Sequence, residues 1–200
     1  MKLNKKHALL ISVLAIVLAL FTAVGFTLAY LIVQTGPVIN TFSPSNIELS
    51  LVETATAGGS TTANTYQMVP GTNITKDPKV SAYADFDYYV FVKIEKSENF
   101  DDYMESLQVI TTGDSANKWT ALNGVDGVYY MAVTANTTLT DVPVLVNNTV
   151  TVKSTLTKAD MQALTNANSY PTLTFTAYAI QQAGMSTVSA AWTQASAQQS

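Results

Sequence analysis

The chain has 200 residues, no Cys and a net charge of −4, and all ten of its basic residues are Lys. The lack of Cys excludes a disulfide framework but not export, because many exported bacterial proteins have no disulfides. The lack of Arg and of any basic patch with interleaved aromatics argues against nucleic-acid binding. Three Lys precede the first apolar run, so the remaining seven Lys oppose 14 acidic residues and the rest of the chain carries −7.

The N-terminus combines a cationic start with a long apolar run. Lys and His lie within residues 2–7, and residues 8–33 contain no charged side chain. This run is longer than the roughly 7–15 residues of an ordinary signal-peptide core, and it is long enough to span a bilayer. Two interpretations follow: a signal peptide over residues 1–29 that is cut between Ala29 and Tyr30, or an uncut anchor with a cytoplasmic Lys-rich end. Thr and Gly residues weaken the helix near its end, which favours cleavage.

Beyond Val33 the hydrophobic pattern is mostly period two, which predicts short β-strands. Val, Thr and aromatic residues dominate these segments, and Gly, Asn and Asp turns divide them. The fold is predicted to be all-β, an antiparallel β-sandwich of the jelly-roll type with a few short helices in loops, with an immunoglobulin-like strand order left open. The predicted strands are "NIELSLVE", "YYVFVKIEK", "GVYYMAVT", "VPVLV", "TVTVK" and "TLTFTAYAI".

Three segments break the period-two pattern. A short helix is predicted to start at Asn99, and another at Thr157, whose hydroxyl and Asp160 suit an N-cap. A final helical turn is predicted to present Trp192 to the core. "TATAGGSTTANT", at 54–65, has the composition of a long hairpin loop.

The sequence predicts one domain after the N-terminal segment. About 170 residues remain after residue 29, which is enough for one well-buried core and too few to favour a second domain. The predicted boundaries are a signal peptide over 1–29, a candidate donor strand over 30–38, a β-domain over 39–194 and a flexible polar tail over 195–200.

The sharpest local motif is "VPGTNITKDPKV". Pro70-Gly71 is a strong turn signal, because Pro fixes φ at the first corner and Gly tolerates positive φ at the second. A strand centred on Ile74 should follow, and Asp77-Pro78 should interrupt the ladder at an edge or bend. A structural role is favoured over a ligand role, and the motif residues are Pro70, Gly71, Lys76, Asp77 and Pro78.

The sequence contains few residues of the types that enzymes use for catalysis. His7 is the only His and lies in the N-terminal segment. Without His or Cys, the predicted exported part has no Ser-His-Asp triad, no Cys nucleophile and no imidazole or thiolate zinc site. The pairs Asp85/Asp87 and Asp101/Asp102 are interpreted as solvated loop acids. The sequence therefore predicts no enzyme, no catalytic residue and no cofactor or metal, with calcium in the loop "DSANKWTALNGVDG" as a weaker alternative.

The strand "YYVFV" leaves one question open. Tyr89 and Phe91 lie on the face opposite Tyr88 and Val90, so both faces of the strand are apolar. One alternative is that the segment 99–107 covers the outer face. The other is that this face is an apolar groove that awaits another strand.

Several stretches, in this order along the chain, resemble the TasA/camelysin family of bacterial surface and biofilm-matrix proteins. They are the export segment ending "GFTLAYL", then "NTFSPSNIELSL", "PGTNITKDPKV" leading into "YYVFVKI", and "LTFTAYAIQQAGMSTVSAAW". The chain departs from the family at "SAYADFDYY" and at its unusually apolar "YLIVQTGPV". The resemblance implies a jelly-roll domain, export from a Gram-positive, Firmicutes-type cell after cleavage by a SipW-type signal peptidase, and assembly into extracellular fibres.

In fibres of this family the freed N-terminal segment of one subunit inserts as a strand into its neighbour. The resemblance therefore implies a donor strand that includes Tyr30, Leu31, Ile32 and Val33, with another copy of the chain as partner and other matrix proteins as further partners. An apolar extended segment suits this role, because it supplies both backbone hydrogen bonds and alternating side chains. The alternatives are a monomeric cell-surface binding or accessory module and, less favoured for lack of His and Cys, a camelysin-type metalloprotease.

Overall fold

The computed structural model describes residues 4, 6–7, 9–16, 45–54, 59–61, 63–112 and 118–197. The chain divides into two compact units between Ser43 and Pro44. In the first unit, residues 9–16 are helical and exposed. No helix among the described residues is both long and apolar enough to cross a membrane. The predicted cleavage site and donor strand, from Ala29 to Val38, lie outside the described residues.

The second unit is built mostly from antiparallel strands. Its described strands are β1 (Glu48–Val52), β2 (Asn73–Thr75), β3 (Lys79–Tyr83), β4 (Tyr88–Lys96), β5 (Thr120–Ala121), β6 (Val128–Val133), β7 (Leu139–Pro143), β8 (Thr149–Thr151) and β9 (Leu173–Gln181). Its helices are α1 (Phe100–Tyr103), α2 (Lys158–Ala163) and α3 (Val188–Ala197), and Val146–Asn148 and Ala167–Ser169 form 3-10 turns. The prediction of an all-β fold with few short helices is confirmed.

The described strands form three sheets. One has the order β1-β3-β7, another the order β5-β6-β4-β9, and β2 pairs with β8. Strand β4 is central in the four-stranded sheet: Tyr88 pairs with Val133 of β6 and with Gln181 of β9. Sequence-distant strands therefore meet, since β9 lies about eighty residues after β4 in the chain yet pairs along its full length.

The main core lies between the three-stranded and four-stranded sheets. Alternate side chains of β4 enter it, and Tyr88, Val90 and Val92 are fully buried. They pack in one apolar cluster with Val80 of β3 and Val142 of β7. Period-two alternation places these residues on one face of each sheet, where removal of apolar area from water stabilises the fold by roughly 25 cal/mol per Å².

The outer face of the four-stranded sheet is covered by α3. Phe91 is fully buried there, with its ring 5.4 Å from that of Trp192, which is in turn 5.1 Å from the ring of Tyr178. Neither of the two expectations for this face was right, because the cover comes from the C-terminal helix and leaves no groove over Phe91. Residues spaced three and four apart give α3 its apolar stripe: Val188, Ala191, Trp192 and Ala195.

The segment that was expected on that face packs elsewhere. Phe100 and Met104, in and after α1, are buried in a third apolar cluster with Val150 and Val152 from the region of β8. Asn99 is the N-cap of α1, as predicted. This third cluster forms the floor of a groove.

Candidate functional site

The motif "VPGTNITKDPKV" folds as a turn followed by a short strand. Gly71 has φ +78°, and the N–H of Thr72 donates to the carbonyl of Val69 at 3.1 Å, which closes the turn at Pro70. Strand β2 follows, with Ile74 paired to Val150. Glycine suits this position because a side chain disfavours positive φ.

Asp77 anchors the end of this motif. Only 7% of the residue is exposed, and its carboxylate accepts hydrogen bonds from the backbone N–H (2.9 Å) and hydroxyl (2.7 Å) of Thr54. Lys79 adds an ion pair at 2.9 Å. Burial by itself would raise the pKa of Asp77, but the hydrogen bonds from Thr54 and the Lys79 ammonium outweigh it and lower that pKa below its ordinary value. Pro78, beside it, is fully buried.

Lys76 joins several elements. Its ammonium lies 2.8 Å from the Glu53 carboxylate, and the two side chains are only 13% and 11% exposed. The same nitrogen lies 5.3 Å from the ring centre of Tyr66 and 5.5 Å from that of Phe175, in β9. These distances are typical of cation–π contacts. Lys76, one of the predicted motif residues, therefore contacts both β9 and the segment before β2.

Tyr66 completes this polar cluster. Its hydroxyl donates to Glu53 at 3.5 Å. Burial raises the pKa of Tyr66 to about 12, and the negative charges of Glu53 and Asp77 reinforce the rise. The phenol therefore stays protonated at any physiological pH and acts as a hydrogen-bond donor.

A groove of about 740 Å³ lies beside this cluster. Its apolar lining comes partly from the third cluster and partly from the residues around α2. Lys76 is the one charged residue among the described residues that line it, and its charge is paired with Glu53. The apolar lining residues that matter most are Met68, Ile74, Phe100, Met104, Met161 and Leu164.

Residues 63–69 form one wall of the groove. Among the described residues this segment, the strap, belongs to no β-ladder, yet its burial alternates: Asn64, Tyr66 and Met68 are half-buried, while the residues between them are exposed. Residues 64–68 line the groove. Period-two burial is the mark of an extended chain on a sheet-like surface, so the strap has the form of a strand without a ladder.

The residues that lead into β9 form another wall of the groove. Tyr170, Pro171, Thr172 and Leu173 line the groove, and Leu173 is the first residue of β9. Within the described part of the chain, β9 pairs only with β4 and lies at the edge of its sheet. None of its nine residues is fully buried, whereas β4 is buried at most positions. It contains neither a charged residue nor Pro.

The other edges among the described strands carry features that discourage pairing. Strands β2 and β8 have three residues each, β5 has two, and β1 has five and begins with Glu48. Strand β7 ends in Pro143, contains Asp141 at φ +49°, and meets β3 at a register shift. Short length, charge, Pro and bulges all block strand addition. Strand β9 has none of these, so it is the edge best suited to accept another strand.

Three carboxylates of the two predicted pairs are used in local structure. Asp87 accepts the N–H of Ala135 at 2.8 Å, and Asp85 accepts the hydroxyl of Ser45 at 3.3 Å. Asp101 pairs with Lys96 at 2.8 Å. No group of three or more His, Cys, Asp or Glu within the described ranges is arranged to hold a metal ion. The loop considered for calcium includes Asp114 and Asn117, which offer oxygen ligands but fall in the gap at 113–117.

No protein-family model matches the chain, and no curated protein or solved structure is significantly similar to it. The function proposed for it therefore depends on its own sequence and geometry.

Sequence reasoning missed both the strap and the position of β9 at a sheet edge among the described strands. The strap begins inside the stretch interpreted as a flexible hairpin loop, yet Tyr66 and Met68 at a spacing of two were a strand-like signal within reach. The edge had a signal as well, since no charged residue occurs after Asp160. A long predicted strand without charged residues is a candidate for a sheet edge that lacks the features that block strand addition.

Proposed function

We propose that this chain is a secreted structural protein of the TasA/camelysin type that assembles into extracellular matrix or surface fibres. The fold we propose is a jelly roll, and the assembly mechanism is donor-strand exchange of the N-terminal segment after cleavage at Ala29. The observation that carries the proposal is strand β9, a nine-residue edge with no charge and no Pro beside an apolar groove. Such an edge is a template for a strand from another chain.

Residues 30–38, the proposed donor strand, match this uncharged edge in character. Tyr30 to Val38 contains no charged residue, and Leu31 and Val33 alternate with Tyr30 and Ile32. A subunit that donates at one end and accepts at another makes a head-to-tail contact, which does not close on itself and therefore propagates into a filament. Before cleavage the donor is continuous with the apolar export segment, so cleavage is the trigger for assembly.

Two purified forms test this function. The chain that starts at Tyr30 is expected to form filaments under the electron microscope, and the chain that starts at Pro37 is expected to stay monomeric. Filaments from the shorter form would exclude the donor-strand mechanism. Mass spectrometry of the secreted protein is expected to give Tyr30 as its N-terminus, whereas a chain that still begins at Met1 would remove the trigger.

A monomeric binding or accessory module is the second candidate. Tyr170, at the groove, is 46% exposed, which suits the stacking of a ligand such as a carbohydrate. Both Trp residues are buried and offer no such surface. A cleaved chain that remains monomeric at high concentration, in analytical ultracentrifugation, would favour this candidate over the fibre.

A further inference from the structure

We propose that the side chains of Lys76 and Asn64 react with each other to form an intramolecular amide bond, with the Glu53 carboxylate as the proton carrier. The three reacting groups lie side by side in the arrangement that precedes the bond. This inference goes beyond the proposed function, because it concerns the covalent chemistry of a single molecule and does not depend on assembly.

One oxygen of Glu53 holds the reacting groups together. Its Oε2 accepts hydrogen bonds from the Lys76 ammonium at 2.8 Å and from Nδ2 of Asn64 at 3.5 Å. The two nitrogens are therefore no farther apart than the sum of these distances. The Asn64 amide also donates to the carbonyl of Thr54 at 3.4 Å, which holds it beside the carboxylate. The four-carbon stem of lysine is flexible, so rotation about its own bonds supplies the movement toward the amide carbon.

Burial keeps water away from this cluster. The side chains of Lys76 and Glu53 are only 13% and 11% exposed, whereas the lysines of the other ion pairs among the described residues are 32–35% exposed. The rings of Tyr66 and Phe175 flank the Lys76 nitrogen. Charged groups lose hydration when they are buried, so moving the ammonium proton onto the carboxylate, which leaves a neutral amine and a neutral acid, costs less here than in water. The neutral amine is the nucleophile.

Tyr66 lies against the same amide. Its hydroxyl donates to Glu53 at 3.5 Å, and its side chain is also hydrogen-bonded to that of Asn64. Because the pKa of Tyr66 is raised to about 12, the phenol keeps its proton. It is therefore a donor for the amide oxygen, on which negative charge develops as the new bond forms.

The reaction is a transamidation in which atoms and charge balance. Lys76 gives one proton to Glu53, and its neutral Nζ attacks Cγ of Asn64 to form a tetrahedral centre. Glu53 returns that proton to Nδ2 and takes a second proton from Nζ, after which the Cγ–Nδ2 bond breaks and NH3 leaves. The NH3 accepts the proton from Glu53 and departs as an ammonium ion. Nothing is oxidised or reduced, the positive charge of Lys76 leaves with the ammonium ion, and the Glu53 carboxylate is regenerated.

The bond fixes the strap to the body of the domain. The strap belongs to no β-ladder among the described residues, and Lys76 directly follows β2. An amide between Asn64 and Lys76 closes a loop across the Pro70-Gly71 turn. Such a loop restricts the unfolded chain and so stabilises the folded one. The chain has no Cys for a disulfide, and an amide needs no oxidant.

Mass spectrometry of the purified full chain tests the bond. Its mass is expected to lie about 17 Da below that calculated from the sequence, the loss of one NH3. Digestion after Glu and Lys locates the loss, because trypsin does not cut after an acylated lysine. A peptide of residues 54–79 that lacks one NH3 is expected in place of a peptide of residues 54–76. A full chain with its calculated mass, or a peptide 54–76 with its calculated mass, would overturn the inference.

Two lysine variants provide a matched control. Lys76→Arg keeps a positive charge against the aromatic rings, but a guanidinium stays protonated and does not attack the amide, so the calculated mass is expected. Lys79→Arg changes the neighbouring lysine, which pairs with Asp77, and is expected to keep the loss of NH3. A loss of NH3 that persists in Lys76→Arg would place the reaction at another amide and contradict the bond to Lys76.

A glutamine variant tests the proton carrier. Glu53→Gln keeps the shape of the side chain but cannot accept the lysine proton, so bond formation is expected to slow by roughly a hundredfold or more. Glu95→Gln, at a more exposed carboxylate paired with Lys93, is expected to form the bond at the parent rate. Unfolding curves verify that both variants fold. Undiminished bond formation in Glu53→Gln would exclude Glu53 as the carrier, and the mass of the parent chain decides on the bond even where this variant does not fold.

Discussion

Single residues fix the local geometry where the chain has to pass close to itself. Gly127 has φ +69°, and a Cβ on it would collide with the carbonyl oxygen of Ile94, whose own N–H donates to the carbonyl of Gly127 at 2.8 Å. Gly124 has a similar φ of +78°, but a Cβ there would meet nothing. The two glycines therefore share a backbone conformation that disfavours a side chain and differ only in the close approach.

This difference yields a prediction for two alanine variants. Gly124→Ala should destabilise the domain by about 1 kcal/mol, the cost of positive φ with a side chain. Gly127→Ala should cost at least about 3 kcal/mol, because strand β4 has to shift away from the new methyl group. Urea unfolding of both variants measures the difference. Equal losses would mean that the approach of Gly127 to Ile94 is not tight.

At the scale of elements, α3 covers the outer face of the four-stranded sheet. Its stripe of small residues around Trp192 lets the helix lie close to β4 and β9, and Ala191 is fully buried. The helix continues to Ala197 and buries Ala195, so it includes part of the stretch that the sequence assigned to a polar tail. A helix of small residues is stabilised mainly by such packing.

Removal of the indole should therefore release the helix. Trp192→Ala is expected to cost about 3 kcal/mol, since it removes contacts with Phe91 and Tyr178 and leaves a cavity. Thr193→Ala, at the exposed neighbour, is expected to stay within about 0.5 kcal/mol of the parent. Urea unfolding gives both values, and hydrogen exchange in residues 188–197 locates the effect. An unchanged Trp192→Ala stability would show that α3 does not depend on this anchor.

At the scale of the whole molecule, stability depends on pH through carboxylates that the fold uses. Hydrogen bonds from Thr54 and the Lys79 ammonium lower the pKa of Asp77 despite its burial, and hydrogen bonds from Thr157 lower the pKa of Asp160. The unfolded chain takes up these protons at a higher pH than the folded chain does. The stabilisation is therefore complete above the ordinary carboxyl pKa of 3.8 and is lost as the pH falls through the lower folded values.

One variant tests how much Asp77 contributes to the stability of the domain and to its pH dependence. Asp77→Asn is expected to cost about 2 kcal/mol at neutral pH, because it weakens buried hydrogen bonds to a charged group. It should also reduce the loss of stability between about pH 4 and pH 2. Urea unfolding across that range measures both, with the exposed Asp126→Asn as control. A variant with the same pH dependence as the parent would contradict the role of Asp77.

Local sequence signals predicted a good part of this molecule. The alternation in "YYVFVKIEK" matches β4, the capping residues Thr157 and Asp160 form the capping box of α2, and Pro70-Gly71 lies in a turn. Strand β3 was missed because Asp77-Pro78 reads as an interruption, although the buried Asp77 only ends one strand before the next. The strand expected around Leu145 ends earlier, at Pro143, where a residue without an N–H closes β7.

The sequence by itself determined the all-β class, the turn before β2 and the starts of the short helices, because these depend on period, φ preference and capping within a few residues. The tertiary structure alone decided which element covers Phe91, which strand is left as an edge, and that Lys76 lies between Tyr66 and Phe175. These features depend on contacts between residues that are up to about a hundred positions apart, and a period or a cap carries no information about its distant partner.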